Sequence, residues 1–148
     1  MGAQKRFGER SNLGSVLTCI LSPESNEIVL IKDKRFFDPR WKLPGGSIEP
    51  EDVDVIAAAI RECREETGIQ LIAAEVSIHS KHWRDEYGKY HPYFCIARIA
   101  KEKLDTHLKI GDENGRPLMV ATFDRSEVPT MGELLDRHRP LVTKALAA

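Results

Sequence analysis

The chain has 148 residues, of which 41% are hydrophobic and 30% charged, with 22 Lys and Arg set against 23 Asp and Glu. That length closes one core without staples. The near-neutral balance excludes a long nucleic-acid track or an acidic-membrane anchor, so a phosphate-rich ligand would have to meet locally concentrated positive charge.

Residues 1–11 read as a flexible N-terminal tail without the apolar stretch of a secretory signal, and 12–148 as a single domain. No apolar run approaches the length of a membrane span. Residues 14–21 (GSVLTCIL) are rich in β-formers and stop at the turn-prone run Ser-Pro-Glu-Ser-Asn. With 27–33 (EIVLIKD) they make a hairpin with its loop at 22–26. A basic stretch from Lys32 to Lys42 then leads into Leu43-Pro44-Gly45-Gly46. Val53, Ile56, Ile60, Cys63 and Thr67 recur at helical spacing, which predicts a helix over 53–67. Asp52 or Asp54 serves as its N-cap and Gly68 as the residue that ends it. Residues 69–83 read as extended, 84–90 as a loop, 91–100 as a strand, 102–117 as a polar stretch with a loop at 111–115, and 118–123 as a strand. A last helix spans 131–146, broken or kinked at Pro140. The order strands, helix, strands, helix gives a mixed α/β sandwich with helices on a sheet. Cys19, Cys63 and Cys95 are odd in number, widely spaced and flanked by apolar residues. They read as buried thiols of a cytoplasmic, reducing compartment.

The end of the first helix is Arg61-Glu62-Cys63-Arg64-Glu65-Glu66-Thr67-Gly68. At roughly 100° per residue, Glu62, Glu65 and Glu66 fall within an arc of about 100°, away from the apolar stripe. Like charges three and four residues apart repel, and the last turn is the negative end of the helix dipole. Only the Arg61–Glu65 spacing offsets this. A divalent cation would remove both penalties, and an oxygen-only set suits Mg²⁺ or Mn²⁺. The plain alternative is a solvated acidic helix end. Gly45 and Gly46, just ahead of the helix, permit either close backbone approach to a ligand or a simple tight turn.

The Gly-Gly pair, the helix and Arg-Glu-x-x-Glu-Glu-x-Gly-Ile together resemble the signature of the Nudix hydrolases, G-x5-E-x7-R-E-U-x-E-E-x-G-U with U bulky and apolar. Arg61, Glu62, Cys63, Glu65, Glu66, Gly68 and Ile69 stand in register, preceded by Ala58-Ala59-Ile60, and the element order is similar from about residue 12 onward. Asp136-Arg137-His138-Arg139-Pro140-Leu141 is similar to tails in this family. The first half departs: Gly46 to Arg61 is one residue longer than the pattern. The first Glu position therefore falls on Val53 or Asp52, with Glu49, Glu51 and Asp54 as other stand-ins, which leaves the number of metals open.

The resemblance implies a Nudix fold, a mixed β-sheet flanked by helices. It implies a pyrophosphohydrolase that cleaves a diphosphate linkage in a small nucleotide derivative by metal-activated water. ADP-ribose, a nucleotide sugar, a dinucleoside polyphosphate or a nucleoside triphosphate all fit. Glu62, Glu65 and Glu66 would hold Mg²⁺ or Mn²⁺, Arg61 would position Glu65 or a neighbour, and the Gly45–Gly46 backbone would lie near metal or phosphates. The general base is Glu62 or a loop carboxylate: Asp112, Glu113, Asp85 or Glu86. Arg35 and Arg40, in a stretch with three excess positive charges, either clamp phosphates or belong to a solvated loop. Trp41 reads as core before base platform. His82-Trp83-Arg84 with Tyr87, Tyr90 and His91 either stack a base or cap the core, and His107 and His138 read as surface residues. Family analogy adds a homodimer. A catalytically weak nucleotide-binding sensor is the alternative reading, and an RNA-end hydrolase a third that the neutral charge disfavours.

Overall fold

The computed structural model describes residues 13–81, 83, 84, 86–88, 90–105 and 118–147. Strands β1 (Ser15–Ser22) and β2 (Glu27–Asp33) form the expected antiparallel hairpin. Its turn closes with Asn26 at φ 61°, a conformation that asparagine tolerates. The two strands pair only beside the turn, Leu21 with Ile28 and Ser22 with Glu27. Beyond that they part, and the segment 41–47 fills the opening. Its β3 (Trp41–Lys42) pairs with β2 and its β4 (Gly45–Ser47) pairs with β1. Between them the Thr18 N–H donates to the Pro44 carbonyl at 3.0 Å.

β8 (Tyr93–Arg98) runs parallel to β1, β5 (Val76–Ser80) antiparallel to β8, and β9 (Leu118–Asp124) antiparallel to β2, completing a seven-stranded mixed sheet. β6 (Trp83–Arg84) and β7 (Tyr90–His91) form a separate two-stranded hairpin, whose turn takes up the loop expected at 84–90.

Both faces of the central strands are covered, which is why they read as continuous apolar runs rather than alternating ones. Val16, Ile20, Val29, Cys95 and Ala97 face helix α1 (Val55–Thr67), which contributes Ala58, Ala59 and Cys63. Cys19, Leu21, Ile28, Leu30, Phe94 and Ile96 face the other way, toward Val142 and Ala145 of helix α2 (Arg139–Ala147). All three cysteines are buried and free. Burial pushes each thiol up, Cys19 to about 12 and Cys95 to about 11, so they behave as small apolar side chains.

Helix α1 starts later than its apolar spacing implied. Asp54 is the N-cap, its carboxylate accepting from the Ala57 N–H at 2.7 Å, so Val53 lies outside the helix and is 88% exposed. Gly68 ends the helix in the left-handed region, φ 80°, with its N–H on the Arg64 carbonyl at 3.0 Å.

The C-terminal expectation needs a larger correction. Residues 131–138 are not α-helical, because 133–135 bond to β3 instead. The Trp41 N–H donates to the Glu133 carbonyl and the Leu135 N–H to the Trp41 carbonyl, each at 2.8 Å. A 3₁₀ turn, Asp136–His138, follows, and α2 begins at Arg139. Pro140 therefore stands in the first turn, where a missing N–H removes no helical bond, and it starts the helix rather than kinking it. The polar stretch expected at 102–117 opens with a helical segment at 101–105 that buries Leu104. Its loop, with Asp112 and Glu113, lies outside the described residues.

Candidate functional site

Helix α1 packs its apolar stripe on the sheet, and this turns the opposite side of its last two turns toward the segment 45–47. Arg61 sits at the centre of what results, with its side chain 20% exposed. Its Nε and Nη2 donate to the two carboxylate oxygens of Asp52, each at 2.9 Å. Nη2 also donates to the Ser47 carbonyl at 3.1 Å. Nη1 donates to Glu65 Oε1 at 2.8 Å and to Glu62 Oε1 at 3.1 Å. One guanidinium thus ties the Gly-Gly strand, the loop before the helix and the helix itself.

Asp52 is therefore not the helix cap. It binds Arg61 bidentately and accepts the Glu49 N–H at 2.8 Å, and the Arg61 guanidinium holds its carboxyl below the usual carboxylate range. The longer stretch between Gly46 and Arg61 carries a carboxylate that reaches back to the arginine.

Gly45 and Gly46 have different neighbours, backbone in one case and a side-chain end in the other. A Cβ on Gly45 would lie 2.1 Å from the Val16 carbonyl oxygen. A Cβ on Gly46 would lie 2.8 Å from the Glu62 carboxylate oxygens. The Gly45 N–H donates to Glu66 Oε1 at 2.7 Å. Glu62 and Glu66 are thus pressed against the glycine backbone from the helix side. Burial raises both carboxyls. Glu66 reaches about 7, the Gly45 hydrogen bond only partly opposing the loss of water and the nearby Glu62 adding to it. Glu62 shifts in the same direction, with Arg61 as the opposing influence.

Among the described residues, no three His, Cys, Asp or Glu side chains converge as a ready metal cage. Arg61 Nη1 stands between Glu62 and Glu65, and Glu66 is turned to Gly45. The donor set nonetheless fits a hard divalent cation. It is all oxygen, within about one helical turn, and two of its members are carboxyls whose ionised form burial disfavours and a bound cation would favour.

A cleft of about 720 Å³ adjoins the glycines. Gly45 and Gly46 form part of its wall, with Lys42 beside them and Arg137, His138 and Lys144 across from the C-terminal segment. Arg35 and Arg40 do not line it. Arg35 folds back on Asp33, with contacts at 2.9 and 2.7 Å, and holds that carboxyl down to about 2. Arg40 pairs with Asp38 at 3.1 Å and donates to the Gly132 carbonyl at 2.9 Å. The two arginines expected to clamp phosphates are thus engaged elsewhere.

His138 is buried, contrary to the surface placement expected for it, because the 3₁₀ turn before α2 tucks it under β3 and the Pro44 segment. Its Nδ1 accepts the Leu43 N–H at 3.0 Å. Loss of water, with Arg137 and Lys42 nearby, lowers its pKa to about 4, so the ring is neutral. Trp41 is core, 8% exposed, with its ring edge-on to Phe123 at 4.9 Å. Glu86 lies in the exposed turn 86–88, His91 lines the cleft, and His82, Asp85 and His107 lie outside the described residues. Sequence reasoning misses Arg137 and Lys144 as site residues: the basic run Arg137-His138-Arg139 is a trace of the first, and no pattern marks the second.

A family model described as the NUDIX domain matches residues 13–140. Human nucleoside diphosphate-linked moiety X motif 6 is 32% identical over 82 residues, 55% of this chain and 26% of that protein. Mouse diphosphoinositol polyphosphate phosphohydrolase 3-alpha is 40% identical over 52 residues, 35% of this chain and 30% of that protein. In both cases the match spans less than a third of the relative's length. Among solved structures, a MutT from work on Aliivibrio salmonicida and Vibrio cholerae aligns with TM-score 0.62 at 17% identity, covering 90% of this chain and 96% of that one. Shewanella oneidensis NrtR, crystallised with a 27mer DNA, aligns with TM-score 0.67 at 17% identity, covering 90% and 60%. At such identities the likeness shows the fold alone.

Proposed function

This chain belongs to the NUDIX family, and on that premise we propose that residues 12–148 act as a single pyrophosphohydrolase domain that cleaves a diphosphate linkage in a small nucleotide derivative. The observation that carries the reading is the Arg61 network, which ties Ser47, Asp52, Glu62 and Glu65 together beside Gly46. An acidic helix end that served only as solvated surface would not need a mostly buried guanidinium, or a glycine, Gly46, whose Cβ position is taken by the Glu62 carboxylate.

Glu62, Glu65 and Glu66 would hold Mg²⁺ or Mn²⁺, which supplies Lewis-acid polarisation of phosphoryl oxygens and acidifies bound water. The chain's own groups do the rest. Arg61 keeps Glu65 and Glu62 on one side of the helix, a positioning role. The Gly45 N–H fixes one oxygen of Glu66. Gly46 lets the backbone approach closely enough for a phosphate to sit against it. Glu62, pressed to Gly46, is a better-placed proton acceptor than Glu86 in its exposed turn. No helix among the described residues is long and apolar enough to cross a membrane. The buried thiols accord with a cytoplasmic site of action.

The test is product release from a panel of nucleoside diphosphate derivatives with Mg²⁺, with Mn²⁺ and with chelator. Metal-dependent cleavage is expected, and Glu66→Gln should reduce turnover at least about tenfold. Tight binding of a panel member without cleavage would replace the hydrolase with a sensor.

A further inference from the structure

The cleft beside Gly45 and Gly46 is electrostatically one-sided. Lys42, whose Nζ also stands 5.2 Å from the Phe36 ring centroid, lines it from β3, Arg137 from the 3₁₀ turn and Lys144 from α2. Arg137 and Lys144 belong to one short stretch, while Lys42 comes from far earlier in the chain, and the docking of α2 beside the Pro44 segment brings all three to one space. No acidic side chain is among the described residues that line it. None of the three makes an ion pair with a described carboxylate, whereas Arg35, Arg40, Arg61 and Arg139 each do. Like charges gathered around one concavity repel each other and raise the local positive potential. A chain with no net positive charge to spare that leaves three cations together around a cleft has formed a site for an anion.

The Arg61 network explains the carboxylate side of the glycine strand and makes no use of this side. Two of the cations, Arg137 and Lys144, come from beyond the carboxylate motif. The cleft also shares Gly45 and Gly46 with the carboxylates, so a molecule whose diphosphate lies at the glycines has its remainder within reach of the cleft. We propose that the cleft receives a further phosphate of the substrate, beyond the diphosphate that is cleaved, held by Lys42, Arg137 and Lys144. This rests on the hydrolase reading for the site, and it narrows the substrate class to compounds bearing at least one phosphate group besides the scissile pair. A nucleotide sugar without such a group falls outside that class.

The test is calorimetric titration of the whole protein, with chelator present, using inorganic tripolyphosphate and inorganic diphosphate as probes. Tripolyphosphate is expected to bind at least about tenfold tighter than diphosphate, the size of one charge-assisted contact. The double variant Arg137→Gln/Lys144→Gln should abolish that preference. Both side chains are exposed, so the changes spare the core. Arg137→Lys/Lys144→Arg should preserve the preference, and Lys101→Gln, at a surface pair with Glu27 away from the cleft, should leave it unchanged. Equal binding of the two probes by the native chain, or an undiminished preference in the double Gln variant, overturns the proposal. Because no turnover is read, its failure is distinct from that of the hydrolase reading, which stands or falls on product release.

Discussion

The segments 33–40 and 41–47 adjoin in sequence and are both rich in polar groups, yet they meet their hydrogen-bonding needs in opposite ways. In the first, each arginine turns to an aspartate two residues away, Arg35 to Asp33 and Arg40 to Asp38. Arg40 also reaches outside the segment, to the Gly132 carbonyl. In the second, the partners come from far along the chain. Trp41 meets Glu133 and Leu135, Leu43 meets His138, Gly45 meets Glu66, and the Ser47 carbonyl meets Arg61. A local pair ties a turn and uses up its own charge. A distant pair fixes the position of one element relative to another, which is what a site for chemistry needs. Only the second segment adjoins both the carboxylates and the cleft.

Breaking the most connected of the distant contacts should have the largest effect. Arg61→Ala would leave the nearly buried Asp52 without its partner. Because the guanidinium is partly solvated and Glu65 is 38% exposed, the expected loss is about 2–4 kcal/mol, below that of a fully buried pair. It should appear as a lower urea midpoint at unchanged slope. Turnover should fall by about a hundredfold as Glu62 and Glu65 lose their common anchor. Asp52→Asn should show the same pattern in weaker form, which a simple helix cap would not.

The two glycines sharpen the comparison. Gly45→Ala would set a methyl against the Val16 backbone, which cannot move without parting β4 from β1. A stability loss of about 3 kcal/mol is expected, at the upper end of overpacking. Gly46→Ala meets only the flexible end of Glu62, so the protein should fold nearly as well while turnover drops at least about tenfold. Denaturant midpoints and single-turnover rates measured on both variants separate a backbone clash from a displaced carboxylate.

Such pairs show how far the sequence could be read. Strand and helix patterns depend on neighbours within an element, so β1, β2, α1 and the Gly68 stop were all legible, as was the sharing of one helix side by Glu62, Glu65 and Glu66. Periodicity does not report which distant element meets which. Asp52 lies nine residues from Arg61, and His138 lies 95 residues from Leu43. The apolar spacing of 131–146 makes Pro140 a kink because it carries no sign of the competing bonds that 133–135 make to Trp41. Arg35 and Arg40 drew attention through proximity to Gly-Gly in sequence, while the cations that line the cleft include two from the other end of the domain.

His138 allows the distant contact to be weakened by pH alone. Burial, with Arg137 and Lys42 nearby, lowers its folded pKa to about 4 from the ordinary 6.5, and the ring so kept neutral accepts the Leu43 N–H. The unfolded chain takes up the proton first. The stabilisation is complete above pH 6.5 and is lost progressively as pH falls toward 4. At pH 5 the loss should be on the order of 2 kcal/mol. Glu66, its carboxyl raised to about 7, gains stability over the same range, so the fall is read as a difference: urea unfolding at pH 7.5, 6 and 5 should show the native chain's advantage over His138→Leu shrinking toward pH 5, the variant being less stable at pH 7.5 through the unmet Leu43 N–H.

The smallest effect belongs to the local pair. Arg35→Gln removes the guanidinium from Asp33, yet the aspartate keeps the Arg35 backbone N–H at 3.0 Å, and the lost charge was exposed and screened by water. The thermal midpoint should shift by no more than about a degree, because a screened pair contributes little. KM for a cleaved substrate should change less than about twofold, since a phosphate clamp would have lost far more. A severalfold rise in KM with kcat unchanged would break the comparison. It would mean that Arg35 leaves Asp33 when substrate arrives, and that a contact two residues long can also serve the site.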